Sequence, residues 1–311
     1  MKEFFAPSLN RHIKLGGRRM PLPHVPRMRL RNYFGAVVPD PPVNIDYGNA
    51  AALPALKQMY LNDIEGDCVI AGRYHILGVA TANATGSPFI ATPSQINADY
   101  HAIGGFVPGR PETDQGCDEH TALVYWSQHG LADGSKDLGW FALDATNQKL
   151  MQQGLWLFEN HFFGLALPDA WVNPFPDHDG VVWDVAGDPN PDNGHCVIAY
   201  KADKDGVWID TWGLKVLLTW RAVAKYAVPA AGGEVYTILS PRMVANAQAK
   251  APSGLLWADV IRDFNTLSGQ NLPVPATAPS PAPNPSPAPA PTIKSLNLIQ
   301  TQALLAQYWP K

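Results

Sequence analysis

Three cysteines in 311 residues are too few and too scattered for a disulfide framework, and their odd number leaves one thiol unpaired or all three reduced. No apolar run reaches the ~18 residues that a membrane span requires. Behind Lys2 there is no apolar stretch of the kind a secretory leader needs, so a cytoplasmic or virion-associated protein is expected. His75, His120, His129, His161 and His178 do not show zinc-ligand spacing, and there is no glycine-rich phosphate loop. The run Asp188-Pro189-Asn190-Pro191-Asp192-Asn193-Gly194 alternates oxygens as a calcium loop does. It lacks the closing glutamate, with Ala199 in that place, and reads as an ordinary loop. No metal or cofactor is expected. What the chain does hold is 46% hydrophobic residues and ten tryptophans, enough for one sizeable core with appendages.

Charge is unevenly spread. Residues 1 to 35 carry Lys2, Arg11, Lys14, Arg18, Arg19, Arg27, Arg29 and Arg31 against Glu3 alone, in a chain whose net charge is −4. Pro7, Pro21, Pro23 and Pro26 in the same stretch argue for an extended arm over residues 1–47. Such an arm suits a nucleic acid or an acidic partner, or it lies across the acidic body of its own chain.

From residue 48 the pattern becomes that of a folded domain, ending near 245. Leu53, Leu56 and Met59 have helical spacing, and an apolar helix should run from Cys68 to about Asn83, stopped by Gly86 and Pro88. A second helix is expected over 118–129, capped by Asp118 and stopped by Gly130, and a third over about Thr146–Phe162. Alternation over 195–200, 207–212, 214–220 and 234–239 predicts antiparallel strands. The class is α+β, a helical half followed by a sheet half with a cleft between them. An accessory helix is expected within 246–272. Nine prolines within 273–291 then make an extended spacer, and 292–311 form an amphipathic tail through Leu304, Leu305, Tyr308 and Trp309. A spacer with an apolar tail suggests attachment to a protein partner or to a second copy.

The chemistry sits in three short segments. Asn62-Asp63-Ile64-Glu65-Gly66-Asp67-Cys68 is a polar turn that becomes a helix at the cysteine. Gly194-His195-Cys196-Val197 opens one strand, and Trp208-Ile209-Asp210-Thr211-Trp212-Gly213 closes the next. A thiol at a helix start, a histidine on a strand and a carboxylate on its neighbour are the types needed for nucleophile, base and orienter. The helix dipole and an imidazolium would both lower the Cys68 pKa. Cys117 and Cys196 read as buried structural thiols.

In order and spacing these segments resemble the papain-like cysteine peptidases. The likeness extends to Thr92-Pro93-Ser94-Gln95 and to Gly116-Cys117-Asp118-Glu119, and covers roughly residues 48–245. The chain is similar also to papain-like proteins of unassigned role in bacterial and phage genomes. The resemblance implies a Cys68–His195–Asp210 triad, an oxyanion held by Asn62 and the Cys68 N–H, and Trp212 shielding the His195–Asp210 bond. The chain departs from the family at Val69, where an aromatic residue is usual, and at Asn62, one methylene shorter than the usual glutamine. Asp118-Glu119 also replaces the glycines that admit a substrate backbone, placing acids that would repel acidic peptides. Two functions follow: a cysteine hydrolase, most simply a peptidase acting on peptide or protein, or a structural or accessory protein, such as a phage virion component, that keeps the body as a scaffold.

Overall fold

The computed structural model describes residues 1–7, 9–23, 25–34, 40–244, 257–268 and 271, all within one compact unit, residues 1–275. The proline spacer 273–291 and the tail 292–311 lie outside the described residues.

The architecture is α+β. Helices α1 (Leu53–Leu56), α2 (Cys68–Thr85), α3 (Pro93–Gly104) and α4 (Glu119–His129) come first in the domain. An eight-stranded sheet follows, with strand order β4 (Gly139–Ala142), β10 (Glu234–Leu239), β5 (His161–Ala166), β7 (Gly194–Ala202), β8 (Gly206–Thr211), β9 (Leu214–Thr219) and β6 (Val182–Trp183). Strand β3 (Ile45–Asp46) pairs with the far end of β7. Helices α5 (Gln148–Phe158), α6 (Asp169–Val172) and α7 (Trp220–Tyr226) lie between strands, and α8 spans Trp257–Ser268.

Helix starts follow from their caps, including that of α3, a helix the sequence reading did not predict. Thr92 and Gln95 form a reciprocal capping box on α3, and Asp118 accepts from the Thr121 N–H at 2.8 Å on α4. Helix α2 ends at Gly86, whose φ of 78° is the left-handed turn that glycine tolerates. One boundary moved. The helix expected to reach Phe162 stops at Phe158, because Glu159 turns left-handed at φ 67° and His161–Ala166 becomes a fully buried strand.

The arm also differs from the expectation of an extended segment. Lys2–Ala6 (β1) and Arg11–Leu15 (β2) form an antiparallel hairpin, and Ala6, Ile13 and Leu15 are completely buried. Of its eight basic side chains, Lys2, Arg11, Lys14, Arg18 and Arg27 pair with carboxylates of the body, which uses up much of the charge otherwise available to an outside partner.

Helix α2 is buried on nearly every side, so its few polar groups are matched internally. Arg73 forks onto both oxygens of Asp137. Gly72 lets the helix lie on β7, since a Cβ there would stand 3.2 Å from Cys196 Sγ and 3.4 Å from Ile198 Cγ2. Cys196 and Ile198 therefore belong to the face of β7 that packs on α2. Val197 and Ala199 belong to the opposite face, in a second apolar cluster with Ile13, Leu15, Val223 and Tyr226. No helix among the described residues is long and apolar enough to cross a membrane.

Candidate active site

Cys68 is the first residue of α2, as the sequence predicts, and is 2% exposed. The main chain of Cys196, the residue after His195, lies close enough to act on the thiol, so thiol and histidine backbone are neighbours. The expected low thiol pKa is not found. Burial pushes the Cys68 thiol well up, and the adjoining Asp67 and Glu119 push in the same direction. No imidazolium offsets this, because burial holds His195 down at about 3.

The three expected partners are not brought together as a triad. His195 Nε2 meets Thr211 Oγ1 at 2.9 Å, while Asp210 Oδ2 lies 3.3 Å from His75 Nε2. The register explains the exchange. Asp210 stands opposite Ile198 and so faces α2, whereas His195, an odd step from Ile198, faces the other way with Thr211. The expected Asp210–His195 bond is thus replaced by Thr211–His195. Asp210 becomes part of a buried pair, with His75 Nδ1 donating to the Ala55 carbonyl at 3.0 Å. Burial raises Asp210 well above the carboxylate range and lowers His75 to about 4, so it favours the uncharged form of each.

Trp212 covers His195, ring on ring at 4.2 Å and 12°. It covers the ring and its bond to Thr211, since the His195–Asp210 bond implied by the resemblance is absent. Strand β8 ends at Thr211, and Trp212 turns left-handed at φ 52°, which carries its indole to the His195 side. His195 Nδ1 is buried with no hydrogen-bond partner among the described residues. Asn62, the expected oxyanion donor, spends its amide on Asp67 Oδ1 at 3.3 Å. Asp67 is completely buried, which raises its pKa well above the usual value, and it sits directly before the thiol.

The cleft above these groups is occupied by the chain's own Gly16–Arg19. Gly16 and Arg18 donate to the Gly194 carbonyl at 3.0 and 3.3 Å. On the other wall Cys117 donates to Gly17 O and Arg19 donates to Cys117 O, both at 3.0 Å. Contact is so close that a Cβ at Gly17 would fall 2.4 Å from Gly66 O, and one at Gly116 2.0 Å from Gly17 O. Arg18 then enters the interior, donating to Gly232 O at 2.6 Å and Glu234 Oε1 at 2.8 Å, with Glu119 Oε2 at 3.7 Å. The sequence readings did not reach Thr211, His75, Arg18 or Glu234. The adjacent glycines inside a basic arm were the signal that something passes through a tight space.

Among the described residues there is no cluster of three or more His, Cys, Asp or Glu able to hold a metal ion.

No family model matches the sequence, and no curated protein does. Among solved structures, xylellain, a cysteine protease from Xylella fastidiosa, superposes with TM-score 0.53 at 13% identity, over 73% of this chain and 97% of that one. The digestive procathepsin L2 proteinase of Tenebrio molitor larval midgut superposes with TM-score 0.50 at 12% identity, over 72% and 78%. The fold is that of the papain-like cysteine peptidases.

Proposed function

We propose that the chain is a cysteine hydrolase of papain-like design, acting on peptide or protein, held closed by its own N-terminal segment. One observation carries this reading. Cys68 opens α2 beside the main chain of Cys196, while the His195 ring is bonded at Nε2, covered by Trp212 and, among the described residues, left unpartnered at Nδ1. A buried nitrogen without a partner is costly, by about 1–3 kcal/mol, and such groups survive where they are used.

In the opened cleft Nδ1, the ring nitrogen that Thr211 does not hold, takes the thiol proton. The thiolate then adds to the substrate carbonyl, and the imidazolium returns the proton to the leaving amine. Water hydrolyses the resulting thioester and restores the thiol. Thr211 fixes the ring through Nε2, the place assigned from sequence to Asp210. The Cys68 N–H, at the start of α2, is available to the oxyanion, and Asn62 joins it only by leaving Asp67.

A second reading has its own support. The neutral Asp210–His75 pair and the buried Arg18 ion pair stabilise a closed, uncharged site, which suits a papain-like scaffold serving as a structural or accessory protein, for example in a virion. Labelling with a thiol-reactive peptide warhead separates the two. The hydrolase reading expects labelling that is slow in the closed wild-type chain, that Arg18→Met accelerates and that Cys68→Ala abolishes. Absence of Cys68 labelling in a folded Arg18→Met chain selects the scaffold.

A further inference from the structure

The side chain that enters the body from the cleft is an arginine, and the surroundings fit its shape. Nη1 donates to the Gly232 carbonyl and Nη2 to the Glu234 carboxylate, a fork that a lysine ammonium cannot span. Room is made by Gly164 in the middle of β5. A Cβ there would lie 2.2 Å from Glu119 Oε2, 2.4 Å from Arg18 Nε and 2.6 Å from Arg18 Nη2. Glu119 itself is fully buried, and neither of its carboxyl oxygens has a hydrogen-bond partner among the described residues. Glu234 is further held by Tyr236 Oη at 2.6 Å and by Arg27 at 3.3 Å, so its carboxylate stays fixed whether or not Arg18 is present. Immediately before the arginine only main chain is gripped. The Gly194 and Cys117 peptides bond to residues 16–19, and the Gly66 and Gly116 contacts leave no space for a side chain at Gly17.

We propose that this cleft is a recognition groove for peptides carrying Gly-Gly-Arg, in which Glu119, Glu234 and the Gly232 carbonyl form the pocket that selects the arginine, and that Gly16–Arg18 is the groove's ligand in cis. The proposal rests on the hydrolase reading only for what happens to a peptide once bound; recognition itself stands on the contacts above. The acids that replace the family's glycines at Asp118-Glu119 thus acquire a use, since Glu119 faces the guanidinium.

The test uses the full chain with Arg18→Ala, which empties the pocket and keeps the hairpin. Melting is followed with methylguanidinium and with methylammonium at low millimolar concentration and equal ionic strength. Methylguanidinium raises the Tm of Arg18→Ala by a few degrees, methylammonium does not, and wild type responds to neither. If Arg18→Ala does not fold unaided, refolding yield with each cation gives the same comparison. In a second arm a fluorescent peptide Leu-Gly-Gly-Arg-Arg binds Gly17→Ala/Arg18→Ala, in which the chain's own segment is displaced, about tenfold tighter than Leu-Gly-Gly-Gln-Arg. That preference disappears when Glu234→Gln is added. Equal responses to the two cations, or equal binding of the two peptides, overturn the proposal. Neither arm reads hydrolysis, so a chain without peptidase activity fails the proposed function and leaves this inference intact, and the reverse also holds.

Discussion

Asp210 gives its carboxyl group to His75, 3.3 Å away across the α2–sheet interface, and leaves the His195 ring to the next residue, Thr211. Two side chains that follow one another in sequence thereby serve opposite faces of the same strand. The acid joins sheet to helix and the hydroxyl holds the imidazole.

This division sets the expected result of changing the acid. As an orienter of His195, Asp210 would affect rate before stability. As the partner of His75, it affects stability first. Asp210→Ala is expected to lose about 1–3 kcal/mol by leaving His75 Nε2 unpaired, whereas Asp210→Asn keeps a donor and loses less. A double-mutant cycle with His75→Ala, read by chemical denaturation, should show coupling between the two sites. Additive effects would contradict the pairing.

Thr211→Val removes the hydroxyl and keeps the shape. Stability should fall by about 1 kcal/mol, and any Cys68-dependent hydrolysis should fall more steeply than in Asp210→Asn. Melting and initial rates on one set of variants decide the order.

The thiol should be unreactive in the closed chain. Burial raises Cys68 and holds His195 neutral down to about 3, so no thiolate–imidazolium pair exists at ordinary pH. Iodoacetamide alkylation of Cys68, followed by mass spectrometry, should stay slow and rise about tenfold per pH unit between about pH 5 and 8, with no acid-stable plateau. Gly17→Ala, whose Cβ meets Gly66 O at 2.4 Å, should displace the segment and speed alkylation. A fast, acid-tolerant reaction in the wild-type chain would show that the cleft is open.

Acid should loosen the Arg18 clamp. Burial works to raise Glu234, but the Arg18 guanidinium, the Tyr236 hydroxyl and Arg27 together bring it below its ordinary value of 4.5. A carboxylate depressed in the folded state contributes stability that is complete above the unfolded value and is lost as pH falls through the folded one. Wild type should therefore melt above Glu234→Gln at pH 7, with the gap closing as pH drops below 4.5. A gap unchanged at low pH would show that Glu234 acts only by its shape.

Much of the fold is legible in the sequence because period and caps are local. Asp118 with Thr121 and the alternation from His195 to Tyr200 each announce their element. The positions of Cys68 at a helix start and of Trp212 over His195 are legible as well. What is not legible depends on register. Whether Asp210 or Thr211 faces His195 differs by a single step in the β7–β8 ladder, where the register shifts between Ala199 and Lys201, and spacing alone does not fix that step. The raised thiol pKa was hidden for a related reason. Its cause is burial, aided by Asp67 and Glu119, which packing across the whole domain decides; of the two courses open to the basic arm, an outside partner or its own body, the structure takes the second.

The span of those contacts orders events during synthesis. Lys14 reaches Asp114 across 100 residues, Lys2 reaches Asn193 across 191, and Arg18 reaches Glu234 across 216. Residues 2 to 18 are thus translated long before their partners, and the hairpin waits while the rest of the domain is made. A nascent chain stopped short of β10 already possesses the α2 thiol but has nowhere to lodge Arg18. During that interval the cleft stands open to whatever peptide is nearby, the chain's own beginning included.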